Sequence, residues 1–174
     1  MAAYIAGDSR AFREIFQRFA PMLQSMARRR VGTGGDADDL VQQAFLQLHR
    51  ARHDFRPGTR LRPWLVTIAM NLTRDVLRRR GRRPEAPIDP ERMEAPISAG
   101  HSAESADEAR HVRAALTELP EDQREVIELF WLSGLAYAEI AQIVGASEGA
   151  VRVRAHRGYV RLRALLGNEP DGGT

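Results

Sequence analysis

The 174-residue chain has no cysteine, no lysine and no apolar run near the roughly 18 residues that a membrane-spanning helix needs. Without cysteine there is no disulfide framework, thiol catalyst or Cys-based zinc site, and a reducing cytoplasm is the expected compartment. Without lysine, a Gly-rich phosphate loop closed by Lys is excluded. All 26 basic residues are therefore arginine. A codon bias toward G and C is the simplest origin of that choice, yet its consequence is physical: guanidinium groups bind phosphate in bidentate fashion and stay charged. The amino terminus lacks the charged-then-apolar pattern of a signal peptide. Five scattered histidines show no ligand spacing, and no Ser/His/Asp set falls in a recognisable motif. No metal, cofactor or catalytic residue is expected.

What the chain does have is an uneven distribution of charge. The net charge is only +3, but residues 1–83 hold 17 Arg against 7 acids, residues 84–111 hold 2 against 7, and residues 112–174 hold 7 against 9. The amino-terminal part is a cation by itself, and a polyanion is its natural partner.

Hydrophobic periodicity predicts helices throughout and no alternating strand pattern. Phe12, Ile15, Phe16 and Phe19 recur at helical spacing; Pro21 is expected to kink or restart the helix before Met22, Leu23 and Met26. After a Gly-rich turn at residues 31–35, Asp36 is the expected N-cap of a second helix bearing Leu40, Val41, Ala44, Phe45 and Leu48, with acids at its start where the macrodipole favours them. Asp36, Asp38 and Asp39 read as that helix start rather than as a metal cluster. A loop at Phe55–Thr59 precedes a third helix with Leu65, Ile68, Ala69, Leu72 and Val76 along one face. Three apolar stripes that need one another to be buried predict a helical domain over residues 1–83. Pro84, Pro87, Pro90 and Pro96 among acids and small residues mark a linker over 84–107. Residues 108–174 predict a second all-helical domain, with a helix ended by Pro120, another carrying Val126, Ile127, Leu129 and Phe130, a short one from Tyr137 to Val144, and a last one from Ser147.

Two basic helices carry the chemistry. On the third helix, Asn71, Arg74, Asp75 and Arg78 share the surface opposite the apolar stripe. Asn can make paired hydrogen bonds to a base edge, whereas arginines suit phosphate. A solvated charged face is the plain alternative, but the cluster of Arg78, Arg79, Arg80, Arg82 and Arg83 repels itself without a counter-ion partner. Trp64 is expected in the core, or beneath the loop that precedes it. In the second domain Ile140, Ala141 and Val144, then Gly145, then Val151 and Ala155 have helix-turn-helix spacing. Gly145 tolerates positive φ in the turn, Ser147 caps the recognition helix, and Glu148, Arg152, Val153, His156 and Arg157 face out or to the flank. One protein touching DNA at two separated places is the reading these helices favour.

These residues resemble a known family. Gly7-Asp-Ser-Arg-Ala-Phe12, Asp36-Ala-Asp-Asp-Leu-Val-Gln-Gln-Ala-Phe45, Trp64-Leu-Val-Thr-Ile-Ala-Met-Asn71 and Asp75-Val-Leu-Arg-Arg-Arg80 look like region 2 of extracytoplasmic-function sigma factors. Leu116-Thr-Glu-Leu-Pro-Glu-Asp-Gln-Arg-Glu-Val126, Glu139-Ile-Ala141 and Gly149-Ala-Val-Arg152 look like region 4. The resemblance implies a transcription initiation factor that binds core RNA polymerase and directs it to promoters. On that pattern Asp39, Gln42, Gln43 and Leu46 would meet the β′ clamp helices. The loop from His53 to Arg60, with Arg56 within it, would hold an unpaired base of the −10 element with Asn71, flanked by Arg74, Asp75, Arg78, Arg79 and Arg80. Ser147, Glu148, Ala150, Arg152, Val153, Arg154, His156 and Arg157 would bind the −35 element, and the apolar helices of region 4 the β flap. The acidic linker would thread toward the polymerase active-site channel. An anti-sigma factor is a further implied partner, and the implied location is cytoplasmic, at the nucleoid or held at a membrane through that partner.

The sequence departs from the family pattern at Ala136, Ala138, Ala150 and Gly158-Tyr159, which bears on the −35 sequence more than on function. With few residues before Gly7, a little of the usual first helix is expected to be missing. The alternative is a stand-alone helix-turn-helix regulator. It explains the second domain and leaves the acidic Asp36–Phe45 helix and the Asn71 stripe without a use.

Overall fold

A computed structural model describes residues 1–32, 34–82 and 103–167. Every regular element among them is a helix, as the all-α expectation required, and the chain divides into two compact units, Met1–Pro96 and Ile97–Thr174. The linker expected over 84–107 lies outside the described residues as far as 102. From Ala103 onward the chain is already helical.

The first unit contains α1 (Ala2–Ile5), α2 (Ser9–Val31), α3 (Gly35–Arg50), a 3₁₀ turn at Arg52–Asp54, and α4 (Leu61–Arg82). Helices α2, α3 and α4 each pack on the other two. Their shared core is Ile15, Phe19, Leu23, Met26 and Val31 of α2, Leu40, Val41, Ala44, Phe45 and Leu48 of α3, and Leu65, Val66, Ala69 and Met70 of α4. Pro21 does not interrupt α2, contrary to the expected kink or restart. Its ring is on the exposed side, where water can satisfy the carbonyl one turn back. The N-cap of α3 is Gly34 rather than Asp36, which lies in the first turn and still complements the dipole there. The inward face of α4 is rotated from the expected one: Val66, Met70 and Thr73 are buried, while Ile68, Leu72 and Val76 are half-buried. Thr73 was missed because a hydroxyl reads as surface. Its Oγ1 donates to the Ala69 carbonyl at 2.8 Å, which removes the cost of burying it.

The unit is clasped at one end by Arg80. Its Nη1 donates to the Val31 carbonyl at the end of α2, at 2.8 Å, and its Nη2 pairs with Asp36 at the start of α3. One guanidinium thus satisfies a helix-terminal carbonyl and joins the ends of three helices.

In the second unit, α5 (Ala103–Thr117) and α6 (Glu121–Ile127) lead into a π turn at Glu128–Leu132, then α7 (Tyr137–Val144) and α8 (Glu148–Leu165). Gly145 sits in the left-handed region at φ 68°, ψ 40°, closing α7 so that α8 can start at Glu148, three residues later. Ser147 caps α8 by accepting from Ala150 N–H at 3.2 Å. Helix α8 packs on α5, α6 and α7 through Val151, Ala155 and Gly158. Gly158 is required by contact: a Cβ there would stand 2.7 Å from Ile127 Cδ1 and 3.1 Å from Gln123 Cβ.

Two stability predictions result. Gly158→Val should lower the thermal stability of the second unit by roughly 1–3 kcal/mol through overpacking. Gly149→Ala, where a Cβ would meet nothing within 4 Å, should not lower it. Arg80→Ala should destabilise the first unit by about 1–2 kcal/mol, a charged hydrogen bond plus a partly exposed pair, while Arg79→Ala should change it by less than about 0.5 kcal/mol. Thermal denaturation followed by circular dichroism checks both.

Candidate protein and nucleic-acid interfaces

Burial of one stripe of α3 leaves the other in solvent. Asp39, Gln42, Gln43 and Leu46 are all exposed, on one face by their i, i+3, i+4, i+7 spacing. Gln42 and Leu46 line a groove of about 630 Å³ between α2 and α3, whose floor is Phe12, Phe16, Val41 and Phe45, with Gln24, Asp38 and His49 completing the lining. Asp39 and Gln43 stand beside the groove rather than in it. Two of the lining residues are apolar and wet: Phe16 is 43 % exposed and Leu46 37 %. The aromatic side chains form one cluster, with Phe16 and Phe45 ring centroids 4.7 Å apart and Phe12 edge-on to Phe45 at 6.2 Å. The Asp38 carboxylate is hydrogen-bonded by the Gln24 side-chain amide, bridging α3 to α2.

Tyr4 of α1, 7 % exposed, braces two of the lining residues, His49 and Phe12, from behind. Its hydroxyl meets Nδ1 of His49 at 2.5 Å and its ring lies 5.2 Å from Phe12. Burial raises the pKa of the Tyr4 hydroxyl, against the pull of the nearby Arg52 guanidinium, so the group stays protonated. Neither Phe16 nor Tyr4 was legible as a site residue. Phe16 shares the helical spacing of true core residues, and only the packing of α2 on α3 shows that it is left over.

The second surface is the outer face of α4 with the loop before it. Asn71, Arg74, Arg78 and Arg79 are exposed, and Asp75 is half-buried. Short bonds along the helix tie them: Arg74 Nη1 to Asn71 Oδ1 at 3.3 Å, Arg78 Nη2 to Asp75 Oδ1 at 3.0 Å, and Arg79 Nε to the Asp75 carbonyl at 3.3 Å. Arg80 is turned away from this group into the clasp described above. The loop holding His53, Arg56 and Arg60 is built rather than loose. Thr59 N–H and Oγ1 both bond the Arg56 carbonyl, at 3.2 and 2.7 Å, across a Pro57-Gly58 turn in which Gly58 has φ 83°. Arg52 donates to the His49 carbonyl at 2.6 Å, and Phe55 rests on Trp64, centroids 5.2 Å apart. Trp64 is thus half-buried beneath the loop and is not one of the buried core residues.

The third surface is α8. Glu148, Arg152, Val153, His156 and Arg157 are exposed, Ala150 and Arg154 half-buried, and Ser147 serves as the cap. Arg152 bonds Glu148 one turn back. Arg154 differs from its neighbours: its Nε lies 3.5 Å from Asp122 of α6, so it also ties the helix to its scaffold. The π turn and the loop after it leave Trp131 64 % exposed. Among the described residues no helix is long and apolar enough to cross a membrane.

Comparison with known proteins places the chain in a family. Residues 15–83 match the model for sigma-70 region 2, and residues 110–162 that for sigma-70 region 4. The chain is 41 % identical over 167 residues to the RNA polymerase sigma factor CarQ of Myxococcus xanthus, covering 96 % of this chain and 95 % of that one. Among solved structures it resembles the sigma factor RpoE in complex with the anti-sigma factor NepR from Bartonella quintana, with TM-score 0.76, 27 % identity, and 92 % of this chain and 99 % of that one covered. It also resembles CnrH in complex with the cytosolic domain of CnrY, with TM-score 0.70, 30 % identity and coverage of 97 % and 96 %. A region 2 match over the first unit removes the case for a stand-alone helix-turn-helix regulator, which would have no use for that unit. With both regions matched in order along one helical chain, the protein belongs to the extracytoplasmic-function sigma factors, the transcription initiation factors that direct RNA polymerase to its promoters.

Proposed function

We propose that the three surfaces divide the work of initiation. The α2–α3 groove with Asp39, Gln42, Gln43 and Leu46 docks on the β′ clamp helices. The His53–Arg60 loop and the Asn71 face capture an unpaired −10 base. Helix α8 from Ser147 to Arg157 reads the −35 element, and the exposed apolar side chains around Trp131 meet the β flap. The observation that carries the docking assignment is the groove itself: exposed Phe16 and Leu46 beside uncharged amides and one carboxylate suit a protein partner and repel DNA phosphate. The −10 assignment rests on the opposite composition, an amide among exposed arginines on the helix that follows a loop fixed by its turn and by Trp64. Within the arginine cluster, Arg78 and Arg79 bind phosphate and Arg80 holds the fold.

An anti-sigma factor is a further proposed partner. The RpoE and CnrH structures are complexes with NepR and the cytosolic domain of CnrY. The apolar groove is a surface that such a partner would cover, in competition with polymerase, so that the chain waits in the cytoplasm, free or tethered through that partner, until released to the nucleoid.

The double variant Asp39→Arg, Gln43→Arg should bind core polymerase roughly tenfold or more weakly than the parent while keeping its helical spectrum, since charge is placed against a docking face. Undiminished pull-down by the folded variant refutes the docking assignment. Asn71→Ala should cost about 1–3 kcal/mol of −10 discrimination in open-complex assays, and unchanged ranking of −10 variants refutes base capture. Arg78→Ala should weaken all promoters alike and lower the salt slope of binding by about one, whereas Arg80→Ala should leave that slope unchanged. Affinity capture from the native host under resting and stress conditions tests the inhibitory partner: polymerase subunits alone in both states would place control elsewhere.

A further inference from the structure

Helices α7 and α8 meet at a stack of side chains whose middle members, Tyr137 and Phe130, have no part in the assignments above. The guanidinium of Arg152 lies over the ring of Tyr137, 4.9 Å from its centroid. Tyr137 stacks in turn on Phe130, with centroids 4.6 Å apart and ring planes 10° from parallel. Phe130 then meets Trp131 edge-on at 5.6 Å. Arg152 is also held along one edge, because its Nε and Nη2 both donate to Glu148 Oε1, at 3.2 and 2.6 Å.

These contacts do different things. An i, i+4 pair with Glu148 is common on helices and fixes little by itself. A ring beneath the guanidinium plane adds the missing constraint, because it comes from another helix and is itself braced by Phe130. The carboxylate takes the Nε/Nη2 edge of the fork, so the Nη1 side is the one left to bond a further partner. Arg152 is therefore an exposed side chain, 61 % accessible, held by a ring face and by a carboxylate before anything binds. Immobilising such a side chain in advance reduces the ordering cost of recognition.

We infer that Tyr137 is a positioning residue for Arg152: with Glu148 it presents the open Nη side of the guanidinium to one base pair of the −35 element, whose matching chemistry is the paired O6/N7 acceptors of guanine. The inference rests on the −35 reading of α8. It assigns a role in promoter specificity to a residue outside the recognition helix.

The test uses the full chain with core polymerase on promoters randomised across the −35 element. Arg152→Ala first identifies the base pair whose preference it relaxes. Tyr137→Leu and Glu148→Gln should each reduce discrimination at that same base pair by about two- to fivefold, the size of an exposed cation–π or ion-pair contact, and leave the other positions ranked as before. Tyr137→Phe keeps the ring face and should keep the preference. Tyr137→Met, which retains an apolar side chain on Phe130, replaces the Leu variant if that one fails to fold. Wild-type discrimination in the Tyr137→Leu or Tyr137→Met variant, or an equal loss at every promoter, overturns the positioning role while the −35 reading stands. An Arg152→Ala variant that shifts no −35 preference overturns the reading and the inference together.

Discussion

Everything the first unit offers to a partner depends on the buried stripe of α3. Leu40, Val41, Ala44, Phe45 and Leu48 are at most 6 % exposed, wedged against both α2 and α4. A helix packed on two sides has one remaining side, and its rotation cannot change without moving several apolar side chains into water at about 1.5–3 kcal/mol each. Asp39, Gln42, Gln43 and Leu46 are presented together because the core leaves them no other place. The same wedge fixes the groove: Phe45 is 4 % exposed and also lies in the groove floor, so the packing of α3 sets the surface that α2 and α3 share.

The second unit solves the same problem with small residues. Val151, Ala155 and Gly158 form the contact stripe of α8, and the stripe narrows toward its carboxyl end until no Cβ remains. Close approach of α8 to α6 at Gly158 sets the angle at which the exposed turn from Glu148 to Arg157 is carried. Ser147 and Gly145 act at the other end, one capping α8 and the other reversing the chain. A change at Gly158, on the buried face just past Arg157, would therefore tilt the stretch from Glu148 to Arg157 without altering any of its exposed side chains. This is a packing route by which the Gly158-Tyr159 departure from the family pattern can act on −35 preference.

How far these features could be read from sequence follows from how local their causes are. Both helices of the helix-turn-helix, the Gly145 turn and the Ser147 cap were legible because each rests on residues within one turn of chain. The groove was half legible. Gln42 and Leu46 lie opposite a clear apolar stripe, but Phe12 and Phe16 are apolar residues whose exposure is decided by a neighbouring helix. Helix α4 shows the same limit: with apolar residues on most of its circumference its period allowed two faces, and tertiary packing chose Val66, Met70 and Thr73. Arg80 is indistinguishable from Arg78 and Arg79 in sequence. Only the arrival of Val31 and Asp36 from distant positions separates a clasp from a phosphate ligand.

The exposed arginines share one further property, which bears on how a chain without lysine handles DNA. Arg74, Arg78 and Arg152 each bond an acid or amide three or four residues back on their own helix. Surface pairs of this kind are worth about 0–1 kcal/mol, too little to compete with a phosphate or a guanine edge offering two acceptors. They are enough, however, to bias a long side chain toward a few rotamers and to quiet a surface that would otherwise repel itself. A guanidinium can exchange one acceptor for another while keeping part of its fork engaged, because its five donors are spread over two edges. An ammonium has no such second edge. The acids interleaved on α4 and α8 are therefore compatible with anion recognition on both faces: they hold the arginines ready and lower the charge of the free protein, and polyanions displace them at small cost.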